Sequence, residues 1–157
     1  MSIAALFLAA LLSLQVVSST TNLHLSLHRE YGRALFTECR MDIRILEGRG
    51  NVSLECLWNV EPRQILKQEQ SLTPLEMTEF LSLVEQSDLY GGDYAGIDTT
   101  AVDGHFETLK VWTTSGRIAI VVTSGNPTFS GATARGRLLE KLRAKEKELI
   151  ARAQYSK

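Results

Sequence analysis

The stretch from Leu35 to Val60 constrains the fold most, because apolar residues take alternate positions on both sides of a short polar interruption. Between Leu35 and Ile45 the odd positions Leu35, Cys39, Met41, Ile43 and Ile45 are apolar or cysteine, with Thr37 the one break, while the even ones include Glu38, Arg40, Asp42 and Arg44. A period of two is that of a half-buried strand. After Glu47-Gly48-Arg49-Gly50-Asn51 the pattern resumes on Val52, Leu54, Cys56, Trp58 and Val60, so the segment reads as a β-hairpin.

The turn decides what the two cysteines can do. With Gly48-Arg49 as the loop, glycine first in a type II′ turn, Met41 faces Cys56 and Cys39 faces Trp58. The cysteines are then diagonal neighbours about 7–8 Å apart, at or past the reach of a disulfide. With Glu47-Gly48 as the loop they face each other and can pair. The competing reading makes both of them small buried hydrophobes. Two isolated cysteines without a C-x-x-C knuckle argue against zinc.

The second strong signal runs from Leu72 to Tyr90. Thr73-Pro74-Leu75-Glu76 supplies an N-cap, a proline at the first helical position and the glutamate of a capping box. Leu72 and Met77 are placed for a hydrophobic staple, and Met77, Phe80, Leu81 and Val84 share one helical face. Gly91 and Gly92 stop that helix, and Gly91 to Gly104, rich in Gly, Asp and Thr, reads as a loop. A second hairpin is expected over Phe106–Thr114 and Arg117–Thr123. A two-residue loop at Ser115-Gly116 would pair Leu109 with Val122 and Val111 with Ile120. The loop Ser124 to Gly131 then leads into a helix from about Ala132 to Ala153, with Leu138, Leu142, Leu149 and Ala153 near one face and Leu139 and Ile150 beside it.

These elements make an α+β domain in the order ββ(β)αββα: two antiparallel hairpins, with four or five strands in one sheet, and two helices. A length of 157 residues, 44% apolar, suits one such domain. Its boundaries are drawn at residues 35–154, preceded by an N-terminal segment over 20–34.

Before that lies a different composition. Ile3 to Leu12 is an unbroken apolar run followed by the small residues Ser18, Ser19, Thr20 and Thr21, which is the layout of a signal peptide over residues 1–19. Its n-region has no Lys or Arg. The apolar stretch is shorter than the roughly 20 residues of a spanning helix, so no membrane span is expected in the mature form. The chain is therefore expected to be secreted or periplasmic, where Cys39 and Cys56 would meet oxidising conditions.

Charge excludes one class of partner. From Arg135 onward there are eight Lys or Arg against three Glu, but the charges are interleaved and no aromatic platform accompanies them. A solvated helix face explains this better than a nucleic-acid stripe. Catalytic signatures are missing as well. Gly125 to Gly131 lacks the Lys and Ser or Thr of a phosphate loop, and Ser130 lacks the glycines of a nucleophile elbow. His24 and His28 carry no H-E-x-x-H. Asp93, Asp98, Asp103 and His105 could gather ligands for a cation or groups for acid–base work, but their spacing is not that of an EF-hand, and turns select Asp and Gly for backbone reasons. Asn51-Val52-Ser53 is a glycosylation sequon.

Taken in order, the hairpin, the helix Leu72 to Tyr90 ending in S-D-L-Y, the Gly/Asp loop, Asp103-Gly104-His105-Phe106, the second hairpin and the leucine-rich helix over Leu138 to Leu142 resemble the emfourin-like small bacterial α+β domains. That resemblance, over about Leu35 to Leu149, implies a proteinaceous inhibitor of the protealysin-inhibitor type, directed at thermolysin-like metalloproteases.

The reading that follows is an exported, non-enzymatic domain, without cofactor or metal, that binds another protein, in one form a protease. The binding surface is expected on loops 91–104 and 124–131, with Tyr94, Ile97, Asp98, Asp103 and Phe129 as candidate contacts, since exposed aromatic and aliphatic tips make good anchors. Two alternatives stand beside it. A small metal-dependent hydrolase would use Asp98, Asp103 and His105. An envelope-associated interaction domain would expose an apolar stripe on Leu138, Leu142 and Leu149.

Overall fold

Among the described residues, six strands and two helices follow one another as β1 (Leu23–Glu30), β2 (Phe36–Leu46), β3 (Arg49–Trp58), β4 (Ile65–Ser71), α1 (Pro74–Gln86), β5 (Phe106–Thr113), β6 (Ile118–Thr123) and α2 (Ala134–Tyr155). The structure is a computed structural model and describes residues 22–31, 35–59, 61–87, 89, 106–113, 118–123 and 133–155. The strands form one sheet in the order β4-β3-β2-β1-β5-β6, antiparallel throughout.

The class is α+β, but the order of elements is ββββαββα rather than ββ(β)αββα. Leu23–Glu30, assigned from the sequence to a segment outside the domain, is an inner strand paired on both sides, with β2 and β5. Its residues alternate Leu23, Leu25 and Leu27, all buried, with His24, Ser26 and His28, so the domain begins at least as early as Leu23.

Alternation places one face of the sheet in the core. Leu25, Leu27, Cys39, Met41, Ile43, Val52, Leu54, Cys56, Leu109 and Val111 are buried there. The break at Thr37 is a β-bulge: Phe36 pairs with Trp58 and Glu38 with Leu57, a shift that buries Phe36 and brings its ring edge-on to Trp58. The β2–β3 turn is Glu47-Gly48, with φ of 50° and 74°, the sign that a type I′ turn requires at both central residues. Cys39 therefore pairs directly with Cys56, their Cα atoms 4.1 Å apart, and a disulfide joins them.

Helix α1 starts as its sequence dictates. The Thr73 hydroxyl accepts from the Glu76 N–H at 3.2 Å, and the Glu76 carboxylate accepts from the Thr73 N–H at 2.8 Å. Phe80 and Val84 are buried, with Met77 and Leu81 packed beside them. The helix ends at Gln86, capped by Ser87, short of Tyr90. The helix meets the sheet closely at Gly50, where a Cβ would lie 2.7 Å from Met77 Sδ and 3.1 Å from Leu72 Cβ and would force the Met77 side chain to shift.

Two expectations are corrected. The β5–β6 ladder pairs Leu109 with Val121 and Val111 with Ala119, not with Val122 and Ile120. The register is shifted by one residue from the expected one, and the expected Ser115-Gly116 loop lies outside the described residues. In α2 the stripe of Leu138, Leu142 and Leu149 is fully buried, so the apolar surface needed by an envelope-associated interaction domain is already spent on the core. Among the described residues no helix is long and apolar enough to cross a membrane.

Candidate functional site

Burying one face of the sheet leaves the other, on the described strands, polar. It is built from His24, Ser26 and His28 of β1, the even residues Glu38 to Arg44 of β2, the odd residues Asn51 to Leu57 of β3, Ile65, Lys67 and Glu69 of β4, and Thr108, Lys110 and Trp112 of β5. Each histidine reaches diagonally across the ladder to a carboxylate. His24 Nε2 lies 2.9 Å from Asp42 Oδ1, and His28 Nε2 lies 2.9 Å from Glu38 Oε1. The His24 ring also stacks on Trp112, its direct neighbour on β5, with centroids 4.5 Å apart and planes inclined by 19°. Over β2, β3 and β4 the face holds an open concavity of about 740 Å³, whose lining includes Glu38, Arg40, Asp42, Glu55, Lys67 and Glu69, with Leu54, Leu57 and Ile65 as its apolar part. This array offers hydrogen-bond and ion-pair partners beside a flat aromatic platform, a composition suited to docking a polar protein surface.

Charges are also buried on the opposite face, beneath α2. The apolar stripe of β1 ends in Arg29, which pairs across the ladder with Glu107 of β5. Arg29 Nε lies 2.8 Å from Glu107 Oε1, and its Nη1 donates to Glu146 of α2 at 3.2 Å. Tyr31 donates its hydroxyl proton to Glu146 through a short bond, and Arg143 donates to Glu107 from Nε at 3.0 Å. Burial pushes the Tyr31 phenol well above its ordinary value, and its bond to Glu146 adds to that. For Arg29, burial alone would lower the guanidinium, but the carboxylates of Glu146 and Glu107 more than reverse it. Arg29 Nε makes its approach to Glu107 as an ion pair without a hydrogen bond, and the ion pairs and remaining hydrogen bonds fix α2 on the sheet.

The sequence-derived candidates Tyr94, Ile97, Asp98, Asp103 and Phe129, with Asp93 and His105, lie outside the described residues, as do residues 1–19. The flanks of the two candidate loops are described, and they are neighbours twice over. At one end, Arg135 of α2 donates from Nε to the Ser87 carbonyl at the end of α1, at 3.0 Å. At the other end, Glu107 near the start of β5 pairs with Thr123, the last residue of β6. The described residues that flank the two candidate loops are thus neighbours at both ends.

His24 and His28 of the open face are not among the candidate contacts; their signal is the alternation in LHLSLH, which places both histidines on the side away from the core. No protein-family model matches the chain, and no curated protein sequence matches it either.

Proposed function

We propose that this chain is an exported, non-enzymatic protein-binding domain that engages its partner through loops 91–104 and 124–131, with protease inhibition as its mode of action. The observation that carries the reading is the double adjacency of the loop flanks, Ser87 with Arg135 and Glu107 with Thr123. Two loops rooted side by side on a sheet and a pair of helices can contribute to one continuous surface, with Tyr94, Ile97, Asp98, Asp103 and Phe129 as its contacts.

Two further observations support it. The Cys39–Cys56 disulfide suits an oxidising compartment, as export by a signal peptide over residues 1–19 requires. A cut after Ser19 would leave β1, which begins at Leu23, whole. The partner class, a thermolysin-like metalloprotease, is what the resemblance of residues Leu35 to Leu149 to the emfourin-like domains suggests.

The test of the inhibitory mode is a titration of a thermolysin-like metalloprotease with the purified chain. Loss of proteolysis near equimolar amounts is expected. Full activity at a large excess of the chain would remove inhibition of that protease class from the reading.

A further inference from the structure

Among the described strands β4 is an edge of the sheet, bonded to β3 on one side. Trp58 N donates to the Gln64 carbonyl at 2.9 Å and Leu72 N to the Gly50 carbonyl at 2.8 Å, so the even positions of this segment carry the ladder to β3. By alternation, the N–H and C=O groups of Ile65, Lys67, Glu69 and Ser71 point outward. Such an edge is a template for another strand. Charges on an edge ordinarily discourage pairing, and which strand is accepted depends on whose charges match.

From this edge we infer that the chain forms a twofold dimer through antiparallel β4–β4 pairing centred on Gln68. In that register Lys67 stands opposite Glu69 of the second copy and Glu69 opposite its Lys67, two ion pairs on the open face. Ile65, which is 55% exposed, is set against Ser71 of the second copy. The paired residues are the odd ones whose backbone groups point outward, as the ladder demands. Sliding the copies by two residues in either direction sets Lys67 against Lys67 or Glu69 against Glu69, so charge selects one register. A twofold operator makes the interface isologous, with one surface used twice. The exposed pair that Lys67 makes with Glu55 in its own chain, at 2.8 Å, is of the weak surface kind and can yield or share its cation.

The dimer would join two sheets into one of twelve strands, and the concavity over β2, β3 and β4 would continue across the axis, because Lys67 and Glu69 line it. This inference is independent of the loop reading above.

The test is sedimentation velocity on the purified chain, with Lys67→Glu and Glu69→Lys as variants and circular dichroism as the check on folding. The wild type is expected to sediment as a dimer. Each single variant sets like charges opposite each other twice, and its dissociation constant should rise at least about tenfold. An equimolar mixture of the two variants restores opposite charges at both pairs and should dimerise again. A monomeric wild type, a dimer indifferent to either substitution, or a mixture that stays monomeric would overturn the proposal.

Discussion

Lys145 of α2, 4% exposed, donates from Nζ to Glu76 Oε1 of α1 at 2.7 Å, so one carboxylate closes the capping box of its own helix and holds the cation of the next. Burial alone would raise the Glu76 carboxyl, but the hydrogen bonds from Lys145 and from the Thr73 backbone and hydroxyl hold it down at about 2.

A pH dependence follows from that value. Because the folded state holds the carboxyl below its unfolded value of 4.5, the contribution is complete above about pH 4.5 and is lost as pH falls toward 2. Glu76 is partly exposed, so screening reduces the effect to about 1–2 kcal/mol. Urea unfolding at pH 6 and pH 3 should show this difference in the wild type and a smaller one in Glu76→Gln.

The cluster beneath α2 should act as a unit. Glu146, 1% exposed, holds both Arg29 and Tyr31. Arg29→Met leaves the buried Glu146 without a cation and should cost about 3–5 kcal/mol, and Glu146→Leu, which leaves Arg29 its pair with Glu107, should cost less. The double variant should cost less than the sum, as read from urea midpoints. Strictly additive costs would show that the two residues are not coupled.

Much of this architecture could be read from spacing, and the places where it could not have physical reasons. The β2–β3 hairpin and the start of α1 are local patterns, whereas the bulge beyond the break at Thr37, which buries Phe36 and exposes Leu35, is not legible in the spacing. The inner strand β1 lies directly behind the apolar N-terminal run, within residues 20–34, a segment that the sequence reading places outside the domain, and its partners β2 and β5 are distant in sequence. In α2, Leu138, Leu142, Leu149 and Ala153 leave one step of the helical stripe unfilled, at 145 or 146. Both residues there are charged and both are buried, Lys145 against Glu76 and Glu146 against Arg29. Their partners lie on distant segments, so sequence alone reads a solvated face. For the candidate site, chain order named the loops, but the pairings that place their flanks together are long-range.

The disulfide should contribute stability by restricting the unfolded chain. With 17 residues of separation, removing it by Cys39→Ala and Cys56→Ala should cost about 3 kcal/mol, on the order of 10 °C in Tm. Thermal melts with and without reductant should show the same drop in the wild type and none in the double variant.

The β2–β3 turn holds a non-glycine residue, Glu47, at positive φ. Asparagine tolerates that conformation better, so Glu47→Asn should raise stability by about 0.5–1 kcal/mol, and Gly48→Ala should lower it by about 1 kcal/mol. Opposite shifts in the urea midpoint would confirm the turn, and equal shifts would contradict it.

The most direct test of the binding account is capture of a partner from the secreted fraction of the producing organism, using the purified chain and a Tyr94→Ala, Ile97→Ala, Phe129→Ala triple variant shown by circular dichroism to be folded. The account requires that the wild type capture a defined protein and that the variant lose it. Capture that survives all three substitutions, or no capture by the wild type, would contradict it.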